Sequence, residues 1–314
     1  MELTLQQTYL AVFAGLVLIA AAGSVLAHRL SLRTNDAVKL TWIGQLNSRI
    51  NAAWLIVLLF AVGFALGEAA LAVIFALASF FALREFVALT PIKPADHLAL
   101  VIAFYAVIPL QYVLVASGWY QLYAVFIPVY LFLALPVIMA WRHDTELYLQ
   151  RVAKVQWGLM LSVYCVSHAP AIATLEPPGY EGRGPLLLLY FLLLVQLSDA
   201  FAVMASASIG RTPLRSNPNK SREGALIGGV AATALGTLLW WMTPFEWWQA
   251  ALISAATVLA AFMGGLVLAS VKRSLGERQW DQGVALSRGV LERLEGLTFA
   301  APVFFHLTVY FFVP

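Results

Sequence analysis

Charge is what this 314-residue chain has least of. Only 11% of its residues are Asp, Glu, Lys or Arg, against about 25% in a typical soluble protein. With 61% hydrophobic residues and a mean hydropathy of +0.83, too little polar surface remains to cover a globule of this size, so the expected solvent is lipid. Cysteine is nearly absent. Cys165 alone excludes an intramolecular disulfide and a Cys-rich metal site, and its apolar neighbours make it a core residue. The opening MELTLQQ lacks the cationic stretch of a secretory signal, so the first apolar run is expected to stay as a span. No internal repeat, low-complexity tract or soluble domain is evident, and no GxxxxGK phosphate loop occurs.

What is abundant is long apolar sequence. Runs able to cross about 30 Å of hydrocarbon as helices lie at residues 8–27, 52–67, 69–83, 97–116, 119–141, 156–175, 185–209, 224–243, 247–270 and 297–313. The chain therefore reads as an all-α, polytopic integral membrane protein of about ten transmembrane helices, with a range of eight to ten. Residues 1–80 form an N-terminal group of helices and 81–314 a second domain. With the N-terminus outside, segments 28–51, 84–96, 142–155, 210–223 and 271–296 are cytoplasmic, and they hold 18 of the 19 Lys and Arg. Only Arg183 falls elsewhere, which is the expected bias of cationic loops. Trp119, Trp247 and Trp248 lie in the short outer connections and fit an interfacial aromatic belt.

Chemistry is confined to a few places. Asp199, in VQLSDAFAV, is an ionisable group inside a span, where such residues are costly and mark a functional site or a polar pairing. NPNKSREGALIGG, residues 217–229, begins with turn chemistry at Asn217-Pro218. Ser221, Arg222 and Glu223 then open an apolar run, a plausible helix start with Lys220 just before it. Such a start attracts anions and suits phosphate; the plainer reading is a solvated loop that anchors topology. The stretch from Ser270 has Lys272 and Arg273 at the membrane face and closes on Glu292-Arg293-Leu294-Glu295. Glu292 and Glu295 share a helix face, and two adjacent carboxylates repel unless a cation such as Mg²⁺ lies between them; the alternative is an ordinary charged helix start. Ser167-His168 is no catalytic pair, since adjacent helical residues do not face each other and no acid is nearby in sequence. Arg84-Glu85 reads as an ion pair or interfacial anchor.

On these residues the chain resembles the CDP-diacylglycerol synthases, or phosphatidate cytidylyltransferases, of a bacterial branch. Pro218, Lys220, Glu223 and Gly224 match the family's Ser-Pro-x-Lys-Thr-x-Glu-Gly, with Asn217 and Ser221 at its Ser and Thr. Asp199 stands eleven residues before Gly210, as in the family. The C-terminal signature aligns from Lys272-Arg273 through Gly276 and Gly289 to Arg293, then Leu297-Thr298 and Pro302. REF at 84–86 and SHAPAI at 167–172 also resemble this branch. The likeness covers about 80–314 and makes 81–314 a cytidylyltransferase-like domain with loops 210–223 and 271–296 cytoplasmic. The acids depart from the pattern. Gly264-Gly265 replaces Gly-Asp, Arg278-Gln279 replaces Lys-Asp, and Ser287-Arg288-Gly289 replaces His-Gly-Gly. Glu292 and Glu295 replace the two aspartates of Asp-Arg-x-Asp.

The resemblance implies transfer of CMP from CTP to phosphatidate or a related phospholipid, releasing pyrophosphate, in the bacterial inner membrane. It implies phosphate binding by Lys220, Lys272, Arg273 and Arg293, and nucleotide-loop roles for Lys220, Ser221 and Glu223. Mg²⁺ would be held by Asp199, Glu292 and Glu295. It further implies a homodimer and no nucleic-acid partner. Two alternatives stand beside it. One is a catalytically inactive relative that binds lipid or nucleotide for a partner, motivated by the missing acids at Gly265 and Gln279. The other is a transporter, which an intramembrane aspartate would allow.

Overall fold

The computed structural model describes residues 5–32, 37–90, 93–141, 143–214, 220–276 and 289–313. Among them there is no β-strand, only an isolated bridge between Pro213 and Ser221. The helical runs are α1 (Leu5–Leu32), α2 (Ala37–Leu66), α3 (Glu68–Ala88), α4 (Pro94–Ala116), α5 (Tyr120–Ala140), α6 (residues 148–173), α7 (Gly184–Ile209), α8 (Arg222–Leu238), α9 (Trp247–Ser274) and α10 (Val290–Phe312). Each coincides with one of the expected apolar runs.

Seven described helices are long and apolar enough to cross a membrane, fewer than the eight to ten expected. The other three runs are helical but do not qualify. In α2 the apolar part is Ile50–Gly63, α8 has only 17 residues, and α6 opens on a polar stretch with Arg151 and Lys154. An all-helical spanning protein is what lipid demands, because every backbone N–H and C=O must be satisfied within its own segment. Many large apolar side chains are exposed, such as Leu133 at 65% and Leu149 at 78%, a surface that only lipid or a partner can cover.

The chain divides into two compact units, Met1–Gly67 and Glu68–Pro314. In the first, α1 and α2 pack on each other through a Tyr9–Phe60 ring stack, with a hydrogen bond from Trp54 Nε1 to Ser24 Oγ.

The second unit carries all the candidate chemistry. In it the ends of α3, α7 and α9 meet the starts of α8 and α10. Three helices of this unit contain widened π turns: Ala103–Val107 in α4, Phe126–Leu131 in α5 and Met160–Tyr164 in α6. Proline accounts for the first two, since Pro109 follows the first and Pro128 lies within the second. A proline ring removes one N–H and crowds the preceding turn, and a wider turn accommodates it. α10 lies against α3, α6, α7 and α9. One buried cluster draws Ala82 and Phe86 from α3, Leu161 from α6, Leu268 from α9 and Leu291 from α10. Leu294 and Phe299 pack against it, so the first turns of α10 are fixed from three sides.

The tightest seam is between α7 and α8. Gly224, Gly228, Ala232 and Gly236 recur every four residues and are buried. A Cβ on Gly224 would meet the Ser206 backbone nitrogen at 2.6 Å, and one on Gly228 the Ala202 nitrogen at 2.3 Å. Only glycine permits that approach. In lipid there is no hydrophobic drive between helices, so close backbone packing at a GxxxG stripe is the main source of their adhesion.

A buried ion pair fastens the starts of α4 and α6. Arg151, 5% exposed, places Nη2 at 2.6 Å and Nε at 2.9 Å from Asp96 Oδ1, and Nη1 at 3.0 Å from Asp144 Oδ2. Lys93 extends the network to Glu146 at 2.5 Å. Removing one partner of a buried pair leaves an uncompensated charge. Arg151→Met is therefore expected to destabilise the protein by about 3–5 kcal/mol, read as a lowered thermal midpoint in detergent. An unchanged midpoint would contradict the staple.

Candidate functional site

The site is built from two helix-end pairs, α7 with α8 and α9 with α10. α7 stops at Ile209, and Gly210 turns the chain so closely that a Cβ there would lie 2.3 Å from the Ser206 carbonyl oxygen. The loop then folds back on itself. Leu214 N–H donates to the Lys220 carbonyl at 2.8 Å, and Arg222 N–H to that of Thr212 at 3.0 Å. Residues 215–219, including Asn217 and Pro218, lie outside the described residues.

Ser221 caps α8: its backbone is extended and its Oγ accepts from Gly224 N–H at 2.9 Å. Its own N–H donates to Ser206 Oγ at 2.8 Å, which ties the cap to α7. Glu223 Oε2 accepts from the N–H groups of Arg211 and Thr212 at 3.2 and 3.1 Å. Its own N–H, with those of Thr212 and Arg211 and the Thr212 hydroxyl, holds its carboxyl down to about 2. Ser221 and Glu223 thus shape the loop, and Lys220 is the residue the loop presents.

Lys220 Nζ meets Asp199 Oδ1 at 2.6 Å, across the α7–α8 seam. Lys220 is 20% exposed and Asp199 46%, so the pair lies open to solvent on one side. On the second pair of helices, Lys272 occupies the last turn of α9, where the helix dipole favours a cation. Gly276, at φ +81°, ends that helix in the left-handed conformation that glycine adopts freely. Lys272 Nζ lies 3.4 Å from Glu295 Oε1, and both side chains are under 20% exposed. Glu295 also feels the charges of Glu292 and Lys220. That last interaction puts the Lys220–Asp199 pair within electrostatic range of the Lys272–Glu295 pair. Arg273 and Arg293 are exposed beside them.

Among the described residues, no three Asp, Glu, His or Cys side chains converge as a metal cage. The donor set nevertheless suits Mg²⁺, which takes hard oxygens and is bound by one or two carboxylates plus substrate phosphates rather than by an all-protein cage. Gly265, on α9, has no atom within 4 Å of where its Cβ would be. It stands seven residues before Lys272, two turns away on the same face. Gly264 beside it is different, because a Cβ there would meet Phe299 Cβ at 2.9 Å and the Glu295 carbonyl at 3.1 Å. Residues 277–288, with Glu277, Arg278, Gln279, Asp281, Ser287 and Arg288, lie outside the described residues.

Two site residues escaped the sequence reading. Ser206 anchors Ser221, but nothing in VMASASIG signals it. Glu85, expected as an ion pair or interfacial anchor, instead accepts from the backbone at the start of α10, at 2.7 Å from Val290 N–H and 2.8 Å from Leu291 N–H. His168 is fully buried and its Nδ1 meets the Tyr164 carbonyl at 2.8 Å, so the SHAPAI segment is packed interior.

The Glu223 carboxyl has a pH signature. Its folded value of about 2 lies below the ordinary 4.5, so its stabilising effect is complete above pH 4.5 and is lost as pH falls toward 2. Hydrogen exchange at Arg211 and Thr212, corrected for intrinsic pH dependence, should lose protection across that window, and Glu223→Gln should flatten the profile. Identical profiles in the two proteins would contradict the tie.

A model of the cytidylyltransferase family matches residues 47–311. The chain is 30% identical over 313 residues to the uncharacterized protein YnbB of Escherichia coli K12, covering 98% of this chain and 99% of that one. It is 28% identical over 193 residues to a phosphatidate cytidylyltransferase of Helicobacter pylori J99, covering 58% of this chain and 72% of the relative. A phosphatidate cytidylyltransferase of Mycobacterium leprae matches at 35% over 129 residues, 39% of this chain and 40% of the relative. With its apolar helices and a match across most of its length, the chain is a membrane-integral member of the cytidylyltransferase family.

Proposed function

We propose that the protein transfers CMP from CTP to phosphatidate, or to a closely related phospholipid, giving CDP-diacylglycerol and pyrophosphate. The observation that carries this reading is the two lysine–carboxylate pairs at the helix ends, Lys220–Asp199 and Lys272–Glu295, within electrostatic range of each other. The bias of Lys and Arg toward one set of loops supports a cytoplasmic position for that end in the bacterial inner membrane, where CTP is dissolved.

In this reaction a phosphatidate oxygen attacks the α-phosphorus of CTP. A new P–O bond forms, the bond to the bridging oxygen of the β-phosphate breaks, and pyrophosphate leaves. Both reactants are anions, so the site must supply cations. Lys220 and Lys272 neutralise carboxylates, and phosphate oxygens compete for the same ammonium groups. Arg273 and Arg293, exposed beside the two pairs, add charge where a triphosphate arrives. One or two of Asp199, Glu292 and Glu295, together with substrate phosphates, would hold Mg²⁺, which would neutralise charge on the bridging oxygen. Ser221 and Glu223 act earlier, by fixing the loop that carries Lys220. The small seam between α7 and α8 keeps Lys220 and Asp199 within reach of each other.

A second reading, an inactive relative that binds lipid or nucleotide for a partner, is favoured by the absence of an acid at Gly265, where the family pattern has one. A single assay separates the two: purified protein with labelled CTP, phosphatidate and Mg²⁺. Lipid-linked CMP is expected, and none under conditions where a standard synthase works would sink the transferase reading. Lys220→Ala and Glu292→Gln should each cut turnover by about a hundredfold or more without unfolding the protein. Retained activity in both would refute the assignment. Because the space at Gly265 is open, Gly265→Asp should fold normally and lower the Mg²⁺ concentration for half-maximal activity by roughly tenfold. An unchanged requirement would show that this position does not face the metal.

A further inference from the structure

We propose that Glu85 is a positioning residue, a carboxylate latch from α3 that sets the start of α10 and with it Glu292 and Glu295. The inference rests on the transferase reading only for its catalytic consequence; the latch itself is a matter of geometry.

The first N–H groups of a helix have no partner inside it and carry partial positive charge. At the start of α10 two of them are satisfied by one side chain more than two hundred residues away in sequence. Glu85 Oε1 accepts from Val290 N–H at 2.7 Å and Oε2 from Leu291 N–H at 2.8 Å. Both bonds are charge-assisted and part-buried, so together they fix direction as well as distance. The residue next to each partner adds a second hold: Phe86 and Leu291 belong to the same buried cluster. A polar clamp and an apolar contact therefore act on one turn of α10.

Gly289 is part of the device. A Cβ there would sit 2.7 Å from Glu85 Oε2, closer than real Cβ atoms come, and 3.1 Å from its Cδ. A side chain at 289 would push the carboxylate from the position in which it meets the two N–H groups. This links two segments that the sequence shows as unrelated, REF at 84–86 and the glycine at 289. Glu292 and Glu295 follow the clamped amides within five residues, and Glu295 reaches Lys272 on α9. A shift of the first turn would move both acids relative to Lys272 and Lys220.

The test uses the full chain in detergent, with Glu85→Ala, Glu85→Gln and Gly289→Ala. In the first variant, hydrogen exchange across residues 290–296 is expected to rise by at least about tenfold while α7 is unchanged. Gln keeps one acceptor but turns an amide toward the second N–H, so it should fall between Ala and wild type. In CMP transfer, kcat should fall in the same order with KM for CTP held, and the Mg²⁺ requirement of the folded protein should rise. Loss of folded protein alone would not move that requirement. Exchange in Glu85→Ala equal to wild type overturns the latch. Faster exchange with kcat and Mg²⁺ requirement unchanged overturns the positioning role. A wild type with slow exchange, and the expected response to Glu85→Ala, but no CMP transfer would sink the transferase reading and leave the latch standing.

Discussion

Lys220 can reach Asp199 only because α8 lies almost backbone to backbone against α7. Gly224 and Gly228 leave no room for a methyl group against Ser206 and Ala202, and that intimacy sets everything above it. The Ser221 cap, the hydroxyl of Ser206 that holds it, and the return of the loop through Thr212 and Glu223 all depend on the same separation. In water such a seam would be a weak choice, since glycine is a poor helix former. In lipid it is a strong one, because packing rather than burial holds helices together.

The second dependence is charge balance. A carboxylate at the edge of a hydrocarbon region is tolerated when a cation neutralises it in place. Two lysines do so for Asp199 and Glu295, Lys220 from the loop before α8 and Lys272 from the last turn of α9. The site is thus a set of matched charges, and an incoming polyanion finds ammonium groups that are already positioned. The same economy of charge shapes the Asp96–Arg151 network, where nearly buried groups are held in a fully paired arrangement. The Asp96–Arg151 pair is closed to solvent and the Lys220–Asp199 pair open on one side, and the open one is where the reaction is proposed.

Much of this was legible in the sequence. Hydropathy located each helical run, since a run of apolar residues in lipid has only one way to satisfy its backbone. Its count of spans is not matched where a described helix is apolar but short, as in α8, or opens on charge, as at Arg151 in α6. Lys220, Asp199, Lys272, Glu292 and Glu295 could be chosen because charges are scarce and cluster near motif positions. Their pairing could not be, since Lys220 might equally have faced water. Glu85 was missed for a related reason. Its partners are backbone amides at the start of a distant helix, and amides carry no signature in the residue string.

Gly265 has a consequence of another kind. Its neighbourhood is open, so a longer side chain there displaces nothing, whereas at Gly264 one would strike α10. Glycine and aspartate codons differ by one base. Sterically, gaining or losing an acid at this place therefore demands no compensating change elsewhere in the bundle, and the cation that its charge calls for is at hand in Lys272, two turns away on the same face. The position behaves as an evolutionary toggle: a lineage can shed the carboxylate, or recover it, in one mutational step, while the surrounding helices stay as they are.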